Sequence, residues 1–354
     1  MPIRNSDVAE LFAIEAETAK QPAQRALRRA SRRAFLWEEE AEDILSQSRS
    51  LTELSGVGPY ISKLIQRWIE HPPAIPAPPE IRRHFLTWTE AVRALKAKPE
   101  WAPQLKGDLQ MHTQWSDGGD SVEVMANEAA SRGYEFIAIT DHSKGLKIAG
   151  GIDEQQLLRQ RKEIDEINQV LRVNGQSVTV LHSLEVNLSP SGEVDMQPSA
   201  LDQLDIVLGC FHSALRRKDD QTDRYLAALN NPSIQILGHP KGRIYNFRLG
   251  LHADWRRVFD RATELDKAVE IDAYPDRQDL TVELLKIAKK SGCRISFGTD
   301  AHGSSQLRFI LFALAASAIV GIPAERIVNF MNRDQLLTWV ANVREKNPRL
   351  KRSA

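Results

Sequence analysis

The segments Gly107-Asp-Leu-Gln-Met-His-Thr-Gln-Trp-Ser-Asp117 and Ile139-Thr-Asp-His-Ser143 each place a histidine where a short apolar stretch ends. Residue types that bind metals recur at the same place in four further segments, Ser183-Leu-Glu-Val186, Leu208-Gly-Cys-Phe-His-Ser213, Ile236-Leu-Gly-His-Pro240 and Phe297-Gly-Thr-Asp-Ala-His302. Five of the nine histidines lie in these segments. Repeated His, Asp and Glu side chains at the ends of strands indicate a site for several metal ions.

From Leu105 onward, short apolar strands alternate with longer helical stretches. The strands are predicted at 136–139, 178–184, 206–208, 234–237, 268–271 and 294–297, with helices such as 122–132 and 154–173 between them. This alternation is typical of an α/β fold with a parallel sheet or barrel. Because the active site of a β/α barrel collects at the C-terminal ends of its strands, we expect the motif residues to meet there.

Composition sets outer limits on the function. Lys plus Arg equal Asp plus Glu at 47 each, so no global field attracts nucleic acid, and any attraction to phosphate must be local. Two cysteines are too few for a disulfide framework, and the N-terminus lacks the apolar core of a secretory signal, so we expect a cytoplasmic protein. The longest apolar run, 309–322, is too short to cross a bilayer, so we predict a buried helix and no membrane partner.

Four regions are predicted along the chain. Residues 1–72 show helical spacing throughout and form a small all-α domain. Residues 73–104 are a Pro-rich linker and a connecting helix, because the proline density of 71–79 favours a stiff extended connector. The barrel domain covers 105–345, and a basic tail follows at 346–354.

The number of candidate ligands at strand ends is the main evidence for a metal centre. One histidine at a strand end is more often a structural residue than a ligand, whereas five at successive strand ends favour a metal centre. Glu185 is the candidate bridge between two ions, since a carboxylate can bind a cation through each oxygen. Asp141 either orients His142 or serves ordinary turn chemistry, and the sequence leaves both open. Cys210 is interpreted as a small buried residue.

The motifs resemble the PHP (polymerase and histidinol phosphatase) superfamily, and most closely the PHP region of bacterial family X DNA polymerases. The resemblance covers roughly 105–345 and rests on the segments 138–147, 239–243, 270–280 and 299–302. It implies a distorted, TIM-like (β/α)7 barrel with two or three divalent ions, manganese or zinc, with iron also considered. It further implies three groups of ligands, His112 with Glu185 and Asp300, Glu185 with His212 and His239, and Asp117 with His142 and His302.

Gln110 departs from the pattern of that superfamily, whose first motif usually reads His-X-His. An amide is a weak, neutral oxygen ligand, so the first ion should be held less tightly or should be a harder cation such as manganese. Asp117 is also a carboxylate where some relatives have histidine. Both changes shift the site toward oxygen ligands.

Basic residues in the motif loops are candidates for holding phosphate. Lys144, Lys147, Arg243 and Arg277 lie in these loops, and arginine can bind two phosphate oxygens at once. Each is also compatible with a solvated surface charge. We assign catalytic roles to Glu185, Arg243 and Lys144.

The N-terminal segment Leu51-Thr-Glu-Leu-Ser-Gly-Val-Gly-Pro-Tyr-Ile-Ser62 resembles a helix-hairpin-helix motif, with Gly56, Gly58 and Lys63 as candidate DNA contacts. Helix N-termini bind phosphate through backbone N–H groups, so the predicted binding is nonspecific in sequence and sensitive to salt. Gly-Val-Gly also serves as a tight turn between packed helices. A local basic contact surface for DNA is also predicted from the cluster Arg25, Arg28, Arg29, Arg32 and Arg33. The surrounding residues 5–70 resemble the N-terminal domain of family X polymerases.

The linker passes straight from this module to the barrel and leaves no room for a polymerase palm, so polymerase activity is not expected. The leading hypothesis is a metal-dependent phosphoesterase on DNA, a 3′→5′ exonuclease or 3′-end-processing enzyme of DNA repair that acts at 3′ ends or gaps. The alternatives are a small-molecule phosphomonoesterase of histidinol-phosphatase type and a catalytically silent DNA-binding adaptor. The sequence does not indicate the oligomeric state.

Overall fold

The computed structural model describes residues 2–348. Residues 349–354 of the predicted basic tail therefore lie outside the described residues. Among the described residues no helix is long and apolar enough to span a membrane. The helices are α1 (Asn5–Thr18), α2 (Ala23–Ala34), α3 (Ala41–Ser46), α4 (Pro59–Glu70), α5 (Trp88–Lys96), α6 (Val122–Ser131), α7 (Glu154–Val173), α8 (Pro198–Leu201), α9 (Thr222–Asn230), α10 (Trp255–Glu264), α11 (Val282–Ser291), α12 (Ile310–Val320) and α13 (Arg333–Lys346).

Seven parallel strands form one sheet in the order β1 to β7. They are β1 (Gly107–Asp108), β2 (Phe136–Ile139), β3 (Thr179–Asn187), β4 (Ile206–Cys210), β5 (Ile236–Leu237), β6 (Ala268–Asp272) and β7 (Arg294–Gly298). The sheet closes on itself, because Leu109 N–H donates to the Phe297 carbonyl at 3.1 Å and Asp300 N–H donates to the Gln110 carbonyl at 3.1 Å. The predicted (β/α)7 barrel is therefore confirmed.

Alternate residues of each strand line the inside of the barrel, since strand side chains point to opposite faces in turn. Near the strand starts these residues are apolar and form one buried cluster with α13, including Leu181, Ile206, Ile236, Leu336 and Trp339. Helix α13 therefore covers the N-terminal end of the barrel. The inward positions become polar toward the strand ends, so the open C-terminal end is the end that can hold ions.

Helices α1 to α4 have a hydrophobic core of their own. Its members include Phe12 and Trp68, whose rings meet edge to face at 4.9 Å, and fully buried Trp37. The stretch 25–44 contains no Gly or Pro, but it is not one continuous helix, because the chain leaves the helix between α2 and α3. Phe35 and Trp37 are both buried there, so alternate residues face the core, a spacing that a helix cannot provide.

The residues between α4 and α5 are extended over 72–79, as the prolines predicted. The residues that follow this extended stretch are hydrogen-bonded to both the helical module and the barrel. The Arg82 guanidinium donates to Glu10 of α1 at 2.8 Å, and the Gln278 side chain of the barrel bonds to the backbone N–H and carbonyl of Leu86, each at 2.8 Å. Tyr245 of the barrel is buried in the core of the helical module and shares a hydrogen bond of 3.0 Å with the Ser31 hydroxyl. The module therefore packs directly on the barrel.

Candidate metal centre

The predicted ligands come together at the C-terminal end of the barrel. Most follow a strand, and Glu185 lies near the end of β3: Gln110, His112 and Asp117 follow β1, His142 follows β2, His212 follows β4, His239 follows β5, and Asp300 and His302 follow β7. Six of the seven strands thus contribute a predicted ligand to one site, as the strand-end pattern indicated.

Glu185 is at the centre of the site, with no measurable exposure of its side chain. Its Oε1 atom lies 2.9 Å from His212 Nε2 and 2.9 Å from His239 Nε2. The other ring nitrogen of His212 lies 3.1 Å from Asn187 Oδ1, which orients the imidazole. One carboxylate oxygen and two imidazoles therefore form one side of the centre.

The second oxygen of Glu185 faces a different group. Gln110 Nε2 lies 3.0 Å from Oε2, His112 Nε2 lies 3.3 Å away, and His142 Nδ1 lies 3.6 Å away. His112 Nε2 also lies 2.9 Å from Asp300 Oδ1. Because each Glu185 oxygen faces its own set of donors, the carboxylate has the placement of a bridge.

A third group lies closer to solvent. Asp117 Oδ1 lies 3.6 Å from His142 Nε2 and 3.5 Å from His302 Nε2, and the Asp117 side chain is 36% exposed. The His112 ring stacks on His142 with centroids 4.3 Å apart and lies 4.5 Å from the His302 ring. This half-open group is the one that an incoming substrate reaches first.

The charges of these buried groups depend on one another. Burial alone would raise the pKa of Glu185, but the imidazoles of His142 and His239 outweigh it and hold that pKa well below its usual value. Burial would likewise lower the pKa of His112, but Asp300 and Glu185 raise it well above its usual value. Glu185 is therefore a carboxylate, with its charge available for cations.

The donor set fits divalent metal ions. Four overlapping groups of three or four side chains offer ligand atoms within 4.8 Å of one another, and all nine predicted ligands except Gln110 belong to at least one group. Gln110 Oε1 is buried and has no hydrogen-bond partner, and the same holds for Nδ1 of His112 and His239. Imidazole and carboxylate ligands suit zinc, manganese and iron. Cys210 Sγ lies in one of these groups but is fully buried, and burial raises the pKa of its thiol.

Asp141 holds the loop that carries His112 and Asp117. Its two carboxylate oxygens accept four hydrogen bonds, from the Thr113 N–H at 2.8 Å, the Thr113 hydroxyl at 2.7 Å, the Ser116 hydroxyl at 2.6 Å and the Gln160 amide at 2.6 Å. Each oxygen of the Asp141 carboxylate therefore accepts two hydrogen bonds, which fills its two lone pairs. Of the two interpretations that the sequence leaves open, the contacts favour a positioning residue.

Two buried carboxylates of β6 were not among the predicted site residues. Glu270 Oε2 accepts the His239 N–H at 2.8 Å, and burial raises the pKa of Glu270 well above its usual value. Asp272 Oδ2 lies 3.6 Å from Arg277 Nε. The signal was present in the sequence, because Glu270 and Asp272 alternate with apolar residues in a buried strand and therefore face the barrel interior.

Two of the four predicted phosphate contacts, Lys144 and Arg243, are engaged elsewhere in the protein. Lys144 Nζ lies 2.6 Å from Glu154 Oε1. Arg243 is buried, donates to the Arg83 carbonyl at 2.8 Å and stacks 3.6 Å over the Phe85 ring, so it fastens the linker to the barrel. Burial lowers the pKa of Arg243 to about 10.

Arg277 is the guanidinium that reaches a predicted ligand, with Nε 3.2 Å from Asp300 Oδ2. Both Asp272 and Asp300 are in its range, and the side chain is 27% exposed. The catalytic roles of Arg243 and Lys144 stay predictions, but the contacts make Arg277 the better candidate for a phosphate oxygen.

The predicted hairpin of the helical module ends at the start of α4. Gly56 has φ +78°, a left-handed conformation that favours glycine, and Gly58 precedes Pro59, the first residue of α4. No side chain caps α4, and Lys63 is exposed on its first turns. The N-terminus of α4 therefore has no side-chain cap that a phosphate would have to displace.

Comparisons with known proteins agree with the fold and the site. The family model described as PHP domain matches residues 108–298. "DNA polymerase/3'-5' exonuclease PolX" of Bacillus subtilis is 34% identical over 234 residues, which are 65% of this chain and 40% of that protein. A "Probable phosphatase" of Caldicellulosiruptor saccharolyticus is 29% identical over 195 residues, which are 52% of this chain and 74% of that protein.

A solved histidinol phosphate phosphatase from Lactococcus lactis, in complex with zinc, L-histidinol and phosphate, aligns with a TM-score of 0.42 and 17% identity. The alignment covers 59% of this chain and 93% of that one. The chain spans 40% of the length of the Bacillus relative and larger shares of the phosphatases.

The barrel and its cluster of imidazoles and carboxylates define the class of protein, a metal-dependent phosphoesterase. The chain belongs to the PHP family, whose model covers more than half of its residues. The relatives are named as an exonuclease and a phosphatase, which favours an enzyme over the alternative of a catalytically silent adaptor.

Proposed function

We propose that this phosphoesterase acts on DNA, as a 3′→5′ exonuclease or 3′-end-processing enzyme of DNA repair. The observation that carries the proposal is the direct packing of a helical module with a free hairpin onto the barrel that holds the Glu185 centre. Support also comes from the Bacillus relative, whose name includes a 3′-5′ exonuclease and whose matched region is 65% of this chain.

The residues that would hold ions fall into the three groups described above. Glu185 would bridge the group of His112 and Asp300 to the group of His212 and His239, while Asp117 with His142 and His302 would hold a third ion. Divalent ions in such a set lower the pKa of water and stabilise negative charge on phosphoryl oxygens. Gln110 adds an oxygen donor rather than an imidazole, so we expect two or three ions with manganese favoured over zinc or iron.

The side chains of the protein then have separate tasks. Arg277 pairs with the carboxylate of Asp300 and is partly exposed. Its guanidinium is therefore placed to stabilise negative charge on a phosphoryl oxygen. His302 and Asp117 form the half-exposed rim of the site, where the ester bond would be positioned. Attack of water would form a new bond from oxygen to phosphorus and break the bond to the leaving oxygen, which would take up the proton that the water loses. The buried Glu185 would keep its negative charge.

DNA would be held without reading its sequence. The N-terminus of α4 offers backbone N–H groups to a phosphate, and Lys63 adds a positive charge near it. Contacts of this kind recognise the backbone, so affinity should fall steeply with salt. We also propose a cytoplasmic location, for which the support is that both cysteines are free and buried.

A second candidate is a phosphomonoesterase that acts on a small molecule. The phosphatase relatives favour it, because the chain covers 74% of the length of the Caldicellulosiruptor protein. Under this alternative the helical module is structural, and replacing Gly56 and Gly58 would leave turnover unchanged.

The decisive experiment is a turnover assay on metal-stripped protein with manganese added back, in which 3′-recessed DNA is compared with a generic phosphomonoester. A His142→Ala, His212→Ala double variant is the matched control, since it removes an imidazole facing each oxygen of Glu185. Stepwise shortening of DNA by the wild type alone is the expected result. Release of phosphate from the monoester, with DNA left intact, would instead identify the small-molecule enzyme.

A further inference from the structure

Helix α2 carries a row of arginines on one face. Arg25, Arg28, Arg29, Arg32 and Arg33 follow helical spacing and are all exposed, whereas Leu27, Ala30, Ser31 and Ala34 form the buried face. Within residues 2–348 none of the five lies within 4 Å of a carboxylate. Like charges at this helical spacing repel by about 0.2–0.5 kcal/mol per pair. The arginine row therefore lowers the stability of the folded protein.

This face lines a groove of about 500 Å³ between the helical module and the barrel. The five arginines form one wall, and Tyr274, Pro275, Asp276 and Phe309 belong to the other. Asp276 is the single acid among the lining residues, so the groove is strongly basic.

The groove joins two features of the proposed function. On the barrel side, the wall that contains Tyr274 and Asp276 continues directly to Arg277, which lies 3.2 Å from Asp300 of the metal centre. On the module side, Arg33 lies beside the hairpin, because a Cβ atom added to Gly56 would be 3.3 Å from Arg33 Cγ. One end of the groove therefore lies beside the hairpin, and the residue that follows its barrel wall in the chain, Arg277, lies at the metal centre.

The shape and chemistry of the groove select its ligand. The arginines extend over nine residues of helix, about 12 Å from first to last, which is more than one phosphate group can contact. A chain with several phosphates can contact them together. Tyr274 and Phe309 are half-buried with ring centroids 5.5 Å apart, and they offer an apolar wall against which an unpaired base can stack. A duplex keeps its bases stacked inside and cannot use this wall.

We propose that the arginine face of α2 and the Tyr274–Phe309 wall bind single-stranded DNA and guide its 3′ end to the metal centre. This inference rests on the proposed nuclease function and adds the form of the substrate and the path by which it enters. The phosphates contact the arginines, and a base near the 3′ end packs on the aromatic wall.

The test is the salt dependence of binding by the full chain. Wild type is compared with an Arg28→Ala, Arg32→Ala variant and with a control, Arg159→Ala, Lys162→Ala, which removes the same charge from the exposed surface of α7. Fluorescence anisotropy of a labelled single-stranded oligonucleotide is measured without divalent metal, between about 50 and 200 mM salt. Thermal unfolding checks that each variant is folded.

The groove variant should bind at least about tenfold more weakly, because charge-assisted contacts to phosphate are lost. The slope of log affinity against log salt should fall by about 1.4, since each contact with a single strand contributes about 0.7. An affinity and slope equal to those of the control would overturn the groove proposal and leave the nuclease function standing. Failure of the nuclease function has a different signature, in which wild type with manganese hydrolyses a phosphomonoester but leaves the oligonucleotide intact; that result would overturn both.

Discussion

His239 Nε2 lies 2.9 Å from Glu185 Oε1, although the strands that carry these residues, β5 and β3, are separated by β4. The contact therefore links two nonadjacent strands at the C-terminal end of the barrel. It joins side chains that are 54 residues apart in the chain. It depends on closure of the sheet, because only a closed barrel turns the inward faces of nonadjacent strands toward one point.

Replacing Glu185 with Gln should remove the bridge between two ligand groups. The amide keeps the shape of the side chain but loses its charge, so we expect at most one tightly bound ion and a fall in kcat of about a hundredfold or more. Metal content per chain, measured on the purified variant, checks this. Full retention of bound metal would contradict the bridging role.

Replacing Gln110 with His should strengthen binding of the first ion. The Gln110 amide already lies 3.0 Å from Glu185 Oε2, so an imidazole at this position would face the same carboxylate. Nitrogen ligands suit zinc better than an amide oxygen does, and we expect zinc affinity to rise about tenfold relative to manganese. Competition titration with a chelator measures the ratio. The control is Gln110→Asn, whose shorter amide should not raise it.

Replacing Arg277 with Met should slow turnover while the ions remain bound. The guanidinium lies 3.2 Å from Asp300 but is also partly exposed, so its loss removes charge stabilisation from the phosphoryl group. Loss of one such donor typically costs about a hundredfold in kcat. Arg277→Lys should recover part of that rate. Loss of metal from the Met variant would show that Arg277 only holds Asp300 in place.

Replacing Asp141 with Asn should destabilise the protein and the loop that carries His112. The amide presents an NH₂ group to two of the four donors that now bond to the carboxylate. We expect a loss of about 2–4 kcal/mol in the free energy of unfolding, because buried donors lose their acceptor. Denaturant unfolding gives this value, and a parallel metal titration should show weaker binding. Unchanged metal affinity would favour simple turn chemistry.

His182 should contribute to loss of stability in acid. It is buried, neither ring nitrogen has a partner, and burial lowers its pKa to about 4. Between pH 6.5 and about 4 the unfolded chain binds a proton that the folded protein does not, so stability falls as pH falls through this window. The slope from one group is at most about 1.4 kcal/mol per pH unit.

The comparison variant is His182→Leu, which has no proton to bind. Its free energy of unfolding should depend less on pH than that of the wild type between pH 6.5 and 4, and the two curves should run parallel above this window. Parallel curves throughout would mean that His182 takes up its proton at the same pH in the folded protein as in the unfolded chain.

Local pattern in the sequence predicted a parallel sheet or barrel and the meeting of the strand-end residues, whereas the (β/α)7 barrel was predicted from the resemblance to the PHP superfamily. Strand β2 at 136–139 and helix α7 at 154–173 have the predicted bounds, because a short apolar run and an amphipathic period are properties of neighbouring residues. Residues at the ends of parallel strands meet at one edge, so the gathering of His112, Glu185 and His239 followed from their positions along the chain.

Only the tertiary structure decided which side chain faces which. The stacking of Arg243 on Phe85, the contact of Arg277 with Asp300 and the arginine groove beside Tyr274 join segments from different parts of the chain. No periodicity encodes such contacts, because they depend on how the barrel closes and on how the helical module and the linker pack on it. The sequence determined where the metal ligands lie, and the docking of the module decided where the positive charge lies around them.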